Sequence, residues 1–304
     1  MGRRIGIIAS PRQWRQSGPE GMPHRHLFKA LLRLGFEPCV AAPPVGTEKL
    51  FHRPVEAVFV WNALKGEIGR CAERLRQEGV PIFAMERGWF DRMNYVQIDR
   101  LGFSHRASWA TPECFARPCP PQGRERFLKA WGRQPKPVRV RKGPIVVLAQ
   151  VTGDAQLYDS EIDTPGPLIA AVEAAAPKGC AIRVRPHPLQ PLAPGAWRRA
   201  TLQRGQLRHA LERASFCVTI NSTAGIESLA MGCPVLCLGP ALYAAAGVAR
   251  QSALADLPAA VADMRRGWRP RQEAVENFLF HLACRQWSLE ELVDATCLDR
   301  LLNP

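Results

Sequence analysis

An α/β protein made of two successive parallel-sheet halves is what this sequence predicts. Three observations lead there. The chain has 304 residues, enough for two domains of about 150. In the first half, short β-branched apolar segments alternate with segments of helical spacing. A stretch rich in Pro, Arg and Gly (residues 118–144) interrupts that pattern, and the alternation restarts behind it. A hydrophobic content of 46% excludes wholesale disorder. No apolar run approaches the roughly 18–20 residues of a membrane-spanning helix.

The elements follow in order. Ile5–Ala9 is a first strand. Its apolar run stops at Pro11, Arg12 and Arg15, so MGRRIGIIASPRQWRQ does not read as a secretory signal. Residues 10–22 read as a polar loop. His26–Leu34 carries Leu27, Ala30, Leu31 and Leu34 at helical spacing and stops at Gly35. Strands are expected at Pro38–Ala42, Val55–Trp61 and Pro81–Met85, with a helix near Glu67–Glu78. The stretch 118–144 reads as a linker with a helical piece around Phe127–Trp131. Beyond it, Ile145–Leu148, Ala181–Val184, Phe216–Ile220 and Pro234–Leu238 read as strands. Helices are expected at Leu168–Ala175, Gln206–Ala214 and from Thr223 through Met231, with a helical tail over 271–302. The expected division is residues 1–130 and 131–304, the tail belonging to the second part. Ligands of such sheets bind at the carboxyl ends of the strands, so residues just after the second-half strands carry the most information.

The charge of +14 comes from 41 Lys and Arg against 27 Asp and Glu. Thirty-four of the basic residues are Arg, spread over most of the chain, with local clusters at Arg133–Arg141–Lys142 and Arg265–Arg266–Arg269–Arg271. No nucleic-acid-binding motif accompanies them, so nucleic acid is not an expected partner. Anionic small molecules or an anionic membrane surface fit better. The ten Cys show neither a disulfide framework nor zinc-site spacing, which points to a reducing cytoplasm and no metal.

Four segments could carry chemistry. Gln150-Val151-Thr152-Gly153-Asp154 follows a buried strand and places a carboxylate at its mouth, or else forms a cap or turn. In Arg185-Pro186-His187-Pro188, two prolines stiffen a strand end that holds two potential phosphate donors, or an exposed loop His. Asn221-Ser222-Thr223 opens a helix whose N-terminal N–H groups suit a phosphate. Ser222 or Thr223 could equally be an ordinary N-cap, and Glu227 lies one turn further on. Glu86 ends a first-half strand in MERGWF.

In this order the segments VVLAQVTGDAQL (146–157), IRVRPHP (182–188) and VTINSTAGIESLAMGCPVLCLGPALY (218–243) resemble the capsular polysaccharide biosynthesis family that includes the bacterial β-Kdo transferases. Kdo is 3-deoxy-D-manno-octulosonic acid. MERGWF (85–90) and YVQIDRLGF (95–103) fit more loosely. The resemblance implies a GT-B fold, two Rossmann-like domains facing across a cleft. It implies a retaining transfer of β-Kdo from a CMP-sugar to a lipid-linked or saccharide acceptor, at the inner face of the cytoplasmic membrane. It also implies no cofactor and no metal.

Carried over residue by residue, the resemblance makes Asp154 the nucleophile and Glu86 the acceptor-side acid/base. Arg185, His187, Ser222 and Thr223 would hold the CMP phosphate, with Pro188 and Asn221 shaping the same subsite. Glu227 would bind the ribose or cytosine, and Gln150 would orient the loop or sugar. The chain departs from the family at Ala149-Gln150, where several members carry Asp-Gln, and at Glu86-Arg87-Gly88, where they carry Glu-Asp-Gly. Those departures keep an alternative open: a catalytically weak member acting as a binding or assembly partner in polysaccharide export.

Overall fold

A computed structural model describes residues 3–16, 22–43, 50–192, 197–294 and 296–302. The chain divides into two compact units, Met1–Trp109 with Leu282–Pro304, and Ala110–His281.

The first unit runs β1 (Arg4–Ile8), α1 (Pro11–Arg15), α2 (His24–Arg33), β2 (Glu37–Ala41), β3 (Ala57–Trp61), α3 (Gly66–Gln77), β4 (Ile82–Arg87) and β5 (Tyr95–Asp99). The second runs α4 (Pro112–Ala116), α5 (Gly123–Trp131), β6 (Ile145–Leu148), α6 (Pro165–Ala175), β7 (Ile182–Arg185), β8 (Thr201–Leu202) and α7 (Leu207–Arg213). It continues with β9 (Phe216–Thr219), α8 (Thr223–Ala230), β10 (Val235–Cys237), α9 (Leu242–Ala245), β11 (Arg250–Gln251), α10 (Leu257–Arg266) and α11 (Gln272–Cys284). The unit boundary falls inside the last turn of α11. The chain then adds β12 (Trp287–Ser288), α12 (Leu289–Val293) and α13 (Thr296–Leu302) to the first unit.

Among the described residues the first unit holds a sheet of order β12-β5-β4-β3-β1-β2. Strands β1 to β4 pair in parallel, while β5 runs antiparallel to β4 and β12 antiparallel to β5. Its core gathers Ile5 and Ile7 of β1, Leu27 and Leu31 of α2, and Phe59 and Phe83 from neighbouring strands. The two phenylalanine rings stack with centroids 4.8 Å apart. The second unit holds a wholly parallel sheet of order β11-β10-β9-β6-β7-β8. Its central strands read IVVL and FCVT and are buried throughout, as expected of parallel strands covered on both faces. Both units are therefore Rossmann-like α/β layers.

Three expectations change. The first is the division at 130/131, which moves to follow Trp109. The stretch 110–144 is bound into the second unit: Lys136 N–H donates to the Ala230 carbonyl (2.9 Å), and Val138 N–H donates to Gln272 Oε1 (3.0 Å). Gly123 of α5 lies so close to Phe280 of α11 that an added Cβ would meet its carbonyl at 2.9 Å. Second, the tail does not stay with the second unit. Trp287 and Ser288 pair with Val96 and Tyr95, and Leu292 and Leu298 enter the first unit's core. Third, residues 10–22 are not all loop. Ser10 and Gln13 form a reciprocal capping box that starts α1.

One buried group gives the first unit a pH dependence. His24, the first residue of α2, has no exposed surface, and neither ring nitrogen has a hydrogen-bond partner. Burial, reinforced by the Arg87 guanidinium, pulls its imidazole from 6.5 down to about 4. Above the unfolded value both states are neutral and His24 has no effect. As pH falls below it, the unfolded chain takes up a proton that the folded one refuses. Stability is therefore lost between about pH 6.5 and pH 4, by about 3 kcal/mol. Urea unfolding of the first unit across that window is expected to show this loss, and His24→Phe to remove it. An unchanged acid-side slope in the variant would assign the loss to other groups.

Candidate functional site

In the second sheet the chain proceeds from β6 outward to β7 and β8, then returns and proceeds the other way from β9 to β10 and β11. The order reverses between β6 and β9, and the crevice outside their carboxyl ends is where open α/β sheets bind ligands. Register aligns these ends. Leu148 pairs with Arg185, and Val147 with Val218.

Gln150 and Asn221 meet at this reversal. Gln150 Nε2 donates to Asn221 Oδ1 (2.9 Å), and Asn221 N–H donates back to Gln150 Oε1 (3.0 Å). Asn221 Nδ2 donates further, to the Gln156 carbonyl at 2.6 Å. Both side chains are buried. The pair thus binds the β6 loop to the β9 end, so its polar groups are largely engaged within the protein. Thr219 belongs to the same knot, its hydroxyl donating to the Leu148 carbonyl (3.3 Å) and accepting from Ser222 N–H (3.3 Å).

Asp154 sits beside this knot. Val151 to Asp154 form a tight turn closed by Asp154 N–H on the Val151 carbonyl (3.0 Å). Gly153 is its third residue, at φ +71°, the left-handed conformation that favours glycine there. Asp154 Oδ1 accepts from Gln156 N–H (3.0 Å), so the half-buried carboxylate also caps the short turn Ala155–Leu157.

Ser222 is the N-cap of α8, its Oγ accepting from Ala224 N–H (3.2 Å). Thr223 is the first residue of the helix, and Glu227, half-buried, lies one turn along. The helix start is fixed from below by Tyr243, whose hydroxyl donates to the Ser222 carbonyl (3.2 Å). Its ring lies where a Cβ on Gly225 would be, 2.7 Å away, so this first turn tolerates only glycine without repacking.

His187 to Gln190 form a second turn, closed by Gln190 N–H on the His187 carbonyl (3.0 Å), with Pro188 at its second position. His187 Nδ1 accepts from Leu189 N–H (3.1 Å), so the neutral ring carries its proton on Nε2. Arg185 does not join the group. Its Nη1 donates to the Gly205 carbonyl (2.6 Å), on the β8 side, away from the reversal between β6 and β9.

Glu86 lies in the other unit, buried at the end of β4, where its Oε1 accepts from Arg87 N–H (2.8 Å). Burial pulls the Arg87 guanidinium below its ordinary value, opposed by the Glu86 charge, and the guanidinium lies over Trp61 at 5.6 Å. Among the described residues no group of three or more His, Cys, Asp or Glu side chains could hold a metal ion.

Thr219, Gln156 and Tyr243 lie within the quoted segments, but the spacing of motifs does not single them out as the residues that fix the loop ends and the helix start. Gly225 is the visible trace of Tyr243, a glycine inside a helix.

Residues 133–266, which span the second-unit part of the site, match the sequence profile of a family described as capsule polysaccharide biosynthesis protein. That segment, a little under half of the chain, is similar to the capsule polysaccharide biosynthesis family. Among solved structures the chain is similar to two KpsC transferases of Thermosulfurimonas dismutans. The β-Kdo 2,7 transferase matches with TM-score 0.60 at 18% identity, over 99% of this chain and 100% of that one. The β-Kdo 2,4 transferase matches with TM-score 0.55 at 18% identity, over 96% and 98%. No curated protein matches the chain by sequence. The chain thus has a fold of GT-B type, built from two Rossmann-like units. Among the described residues no helix is long and apolar enough to cross a membrane.

Proposed function

We propose that the chain is a retaining glycosyltransferase of surface polysaccharide biosynthesis, taking β-Kdo from a CMP-sugar. The acceptor would be a lipid-linked or saccharide hydroxyl. The reading is supported by the placement of the Asp154 loop after β6 and the Ser222–Thr223 helix start after β9, at the carboxyl ends that flank the β6/β9 reversal, with His187 after the neighbouring β7, in a segment that matches the capsule family profile.

A carboxylate oxygen of Asp154 attacks the anomeric carbon as the bond to the CMP phosphate breaks, its electron pair leaving with CMP. The Nε2–H of His187 and the Ser222–Thr223 helix start stabilise the departing phosphate. The guanidinium of Arg185 would have to leave the Gly205 carbonyl, or share it, to assist. An acceptor hydroxyl then displaces Asp154 as its proton passes to a general base, the role the family resemblance implies for Glu86, and two inversions give retention. Gln150 and Asn221 act as positioning residues, and Glu227 would bind the ribose or cytosine. No cofactor or metal is invoked. The inner face of the cytoplasmic membrane is the proposed location, with Arg265, Arg266, Arg269 and Arg271 toward anionic headgroups.

Intact-mass spectrometry after incubation with CMP-Kdo tests the reading. One Kdo-sized adduct, mapped to Asp154, is expected. CMP at about 100 times its Kd is also expected to stabilise the protein by about 2.7 kcal/mol in a thermal scan. Stabilisation without adduct or transfer would favour the binding-partner alternative. Absence of all three would overturn both readings.

A further inference from the structure

The side chain of Gln190 joins the turn that delivers Asp154 to the turn that carries His187. Gln190 Oε1 accepts from Thr152 N–H at 2.6 Å, and Gln190 Nε2 donates to Thr152 Oγ1 at 2.9 Å. One amide therefore holds both the backbone and the hydroxyl of one residue.

The position of each partner gives this clasp its leverage. Thr152 is the second residue of the Val151–Asp154 turn, so holding its N–H and its hydroxyl fixes the peptide planes that lead into Asp154. Gln190 closes the other turn through its own N–H on the His187 carbonyl, and that turn locks His187 by its Nδ1. The opposite flank of the β6 loop is already fixed by Gln150 and Asn221. The clasp is the described tie on the β7 flank, and with it the loop is held from both sides.

We propose that Gln190 is a positioning residue for the transfer reaction: through Thr152 it sets the Asp154 carboxylate against the donor phosphate subsite at His187. This rests on the reading of Asp154 as nucleophile. An attacking oxygen must lie in line with the breaking bond, and small displacements of such a group are costly, so the clasp acts on the chemical step rather than on donor affinity.

The test follows glycosyl-enzyme formation from CMP-Kdo in single turnover, together with CMP affinity, for four proteins. Gln190→Ala removes both bonds and is expected to slow adduct formation about 10–100-fold. CMP affinity is expected to stay within about threefold of wild type. Gln190→Glu keeps two acceptor oxygens, one for Thr152 N–H and one to which the Thr152 hydroxyl can turn and donate. It is expected to recover most of the rate. Thr152→Val removes only the hydroxyl bond and should give an intermediate rate. A wild-type rate in Gln190→Ala would overturn the proposal. So would a slow Gln190→Glu variant, or a loss confined to CMP affinity. No adduct from the wild type would overturn the Asp154 reading, and this assignment with it.

Discussion

Replacing Asp154 by alanine is expected to abolish transfer, by about 10⁴-fold or more, while CMP still binds. Nucleophiles that form a covalent intermediate show losses of this order, because no other group replaces the bond they make. The Asp154 carboxylate also caps Ala155–Leu157 through Gln156 N–H. A cap lost to alanine costs about 1 kcal/mol, so the variant should remain folded and bind CMP. Asp154→Asn keeps an oxygen for that cap but cannot attack, and separates the two roles. It should match the wild type in melting temperature and the alanine variant in transfer. Thermal scans beside single-turnover mass spectrometry read both. An Asp154→Asn protein that forms the glycosyl-enzyme would refute the nucleophile role.

Asn221→Leu carries the largest expected loss of stability. Asn221 accepts from Gln150 Nε2 in a buried setting and donates to the Gln156 carbonyl in a partly buried one. Leucine of similar volume leaves each of those groups without its partner. Each unsatisfied buried group costs about 1–3 kcal/mol, so roughly 3–5 kcal/mol is expected for the second unit. Asn221→Asp should be no milder near neutral pH, since it places a buried carboxylate oxygen against the Gln156 carbonyl. It should differ in its response to acid, because the protonated form can donate to that carbonyl. Its penalty is expected to shrink as pH is lowered, whereas that of the leucine variant is not. Denaturant titrations of both variants at two pH values distinguish the cases. Equal pH dependence would mean that the Asn221 amide does not hold Gln156.

The two variants also mark what the sequence makes legible. Gln150, Asp154, Asn221 and Ser222 can be placed at strand ends because each follows an apolar run that reads as a buried parallel strand, whereas His187 follows the alternating Ile182-Arg183-Val184-Arg185. The ties among them are not readable. Thr152 and Gln190 are 38 positions apart on two loops, with no period to relate them. Arg185 shows the reverse: its place at the end of β7 suggests a phosphate, yet its head group reaches the Gly205 carbonyl. The Ser10-x-x-Gln13 signature was open to reading and is masked by the Pro and Arg around it. The return of Leu292 and Leu298 to the first core depends on contacts across nearly the whole chain, which local pattern does not encode.

That return sets an order of events during synthesis. The first unit needs Leu282–Pro304 to complete its sheet edge and core, whereas the second is one continuous stretch, Ala110–His281. Emerging from the ribosome, the part nearer the end can finish folding before the part that was made first. Until Trp287 and Ser288 arrive, β5 presents an unpaired edge, which β12 then covers.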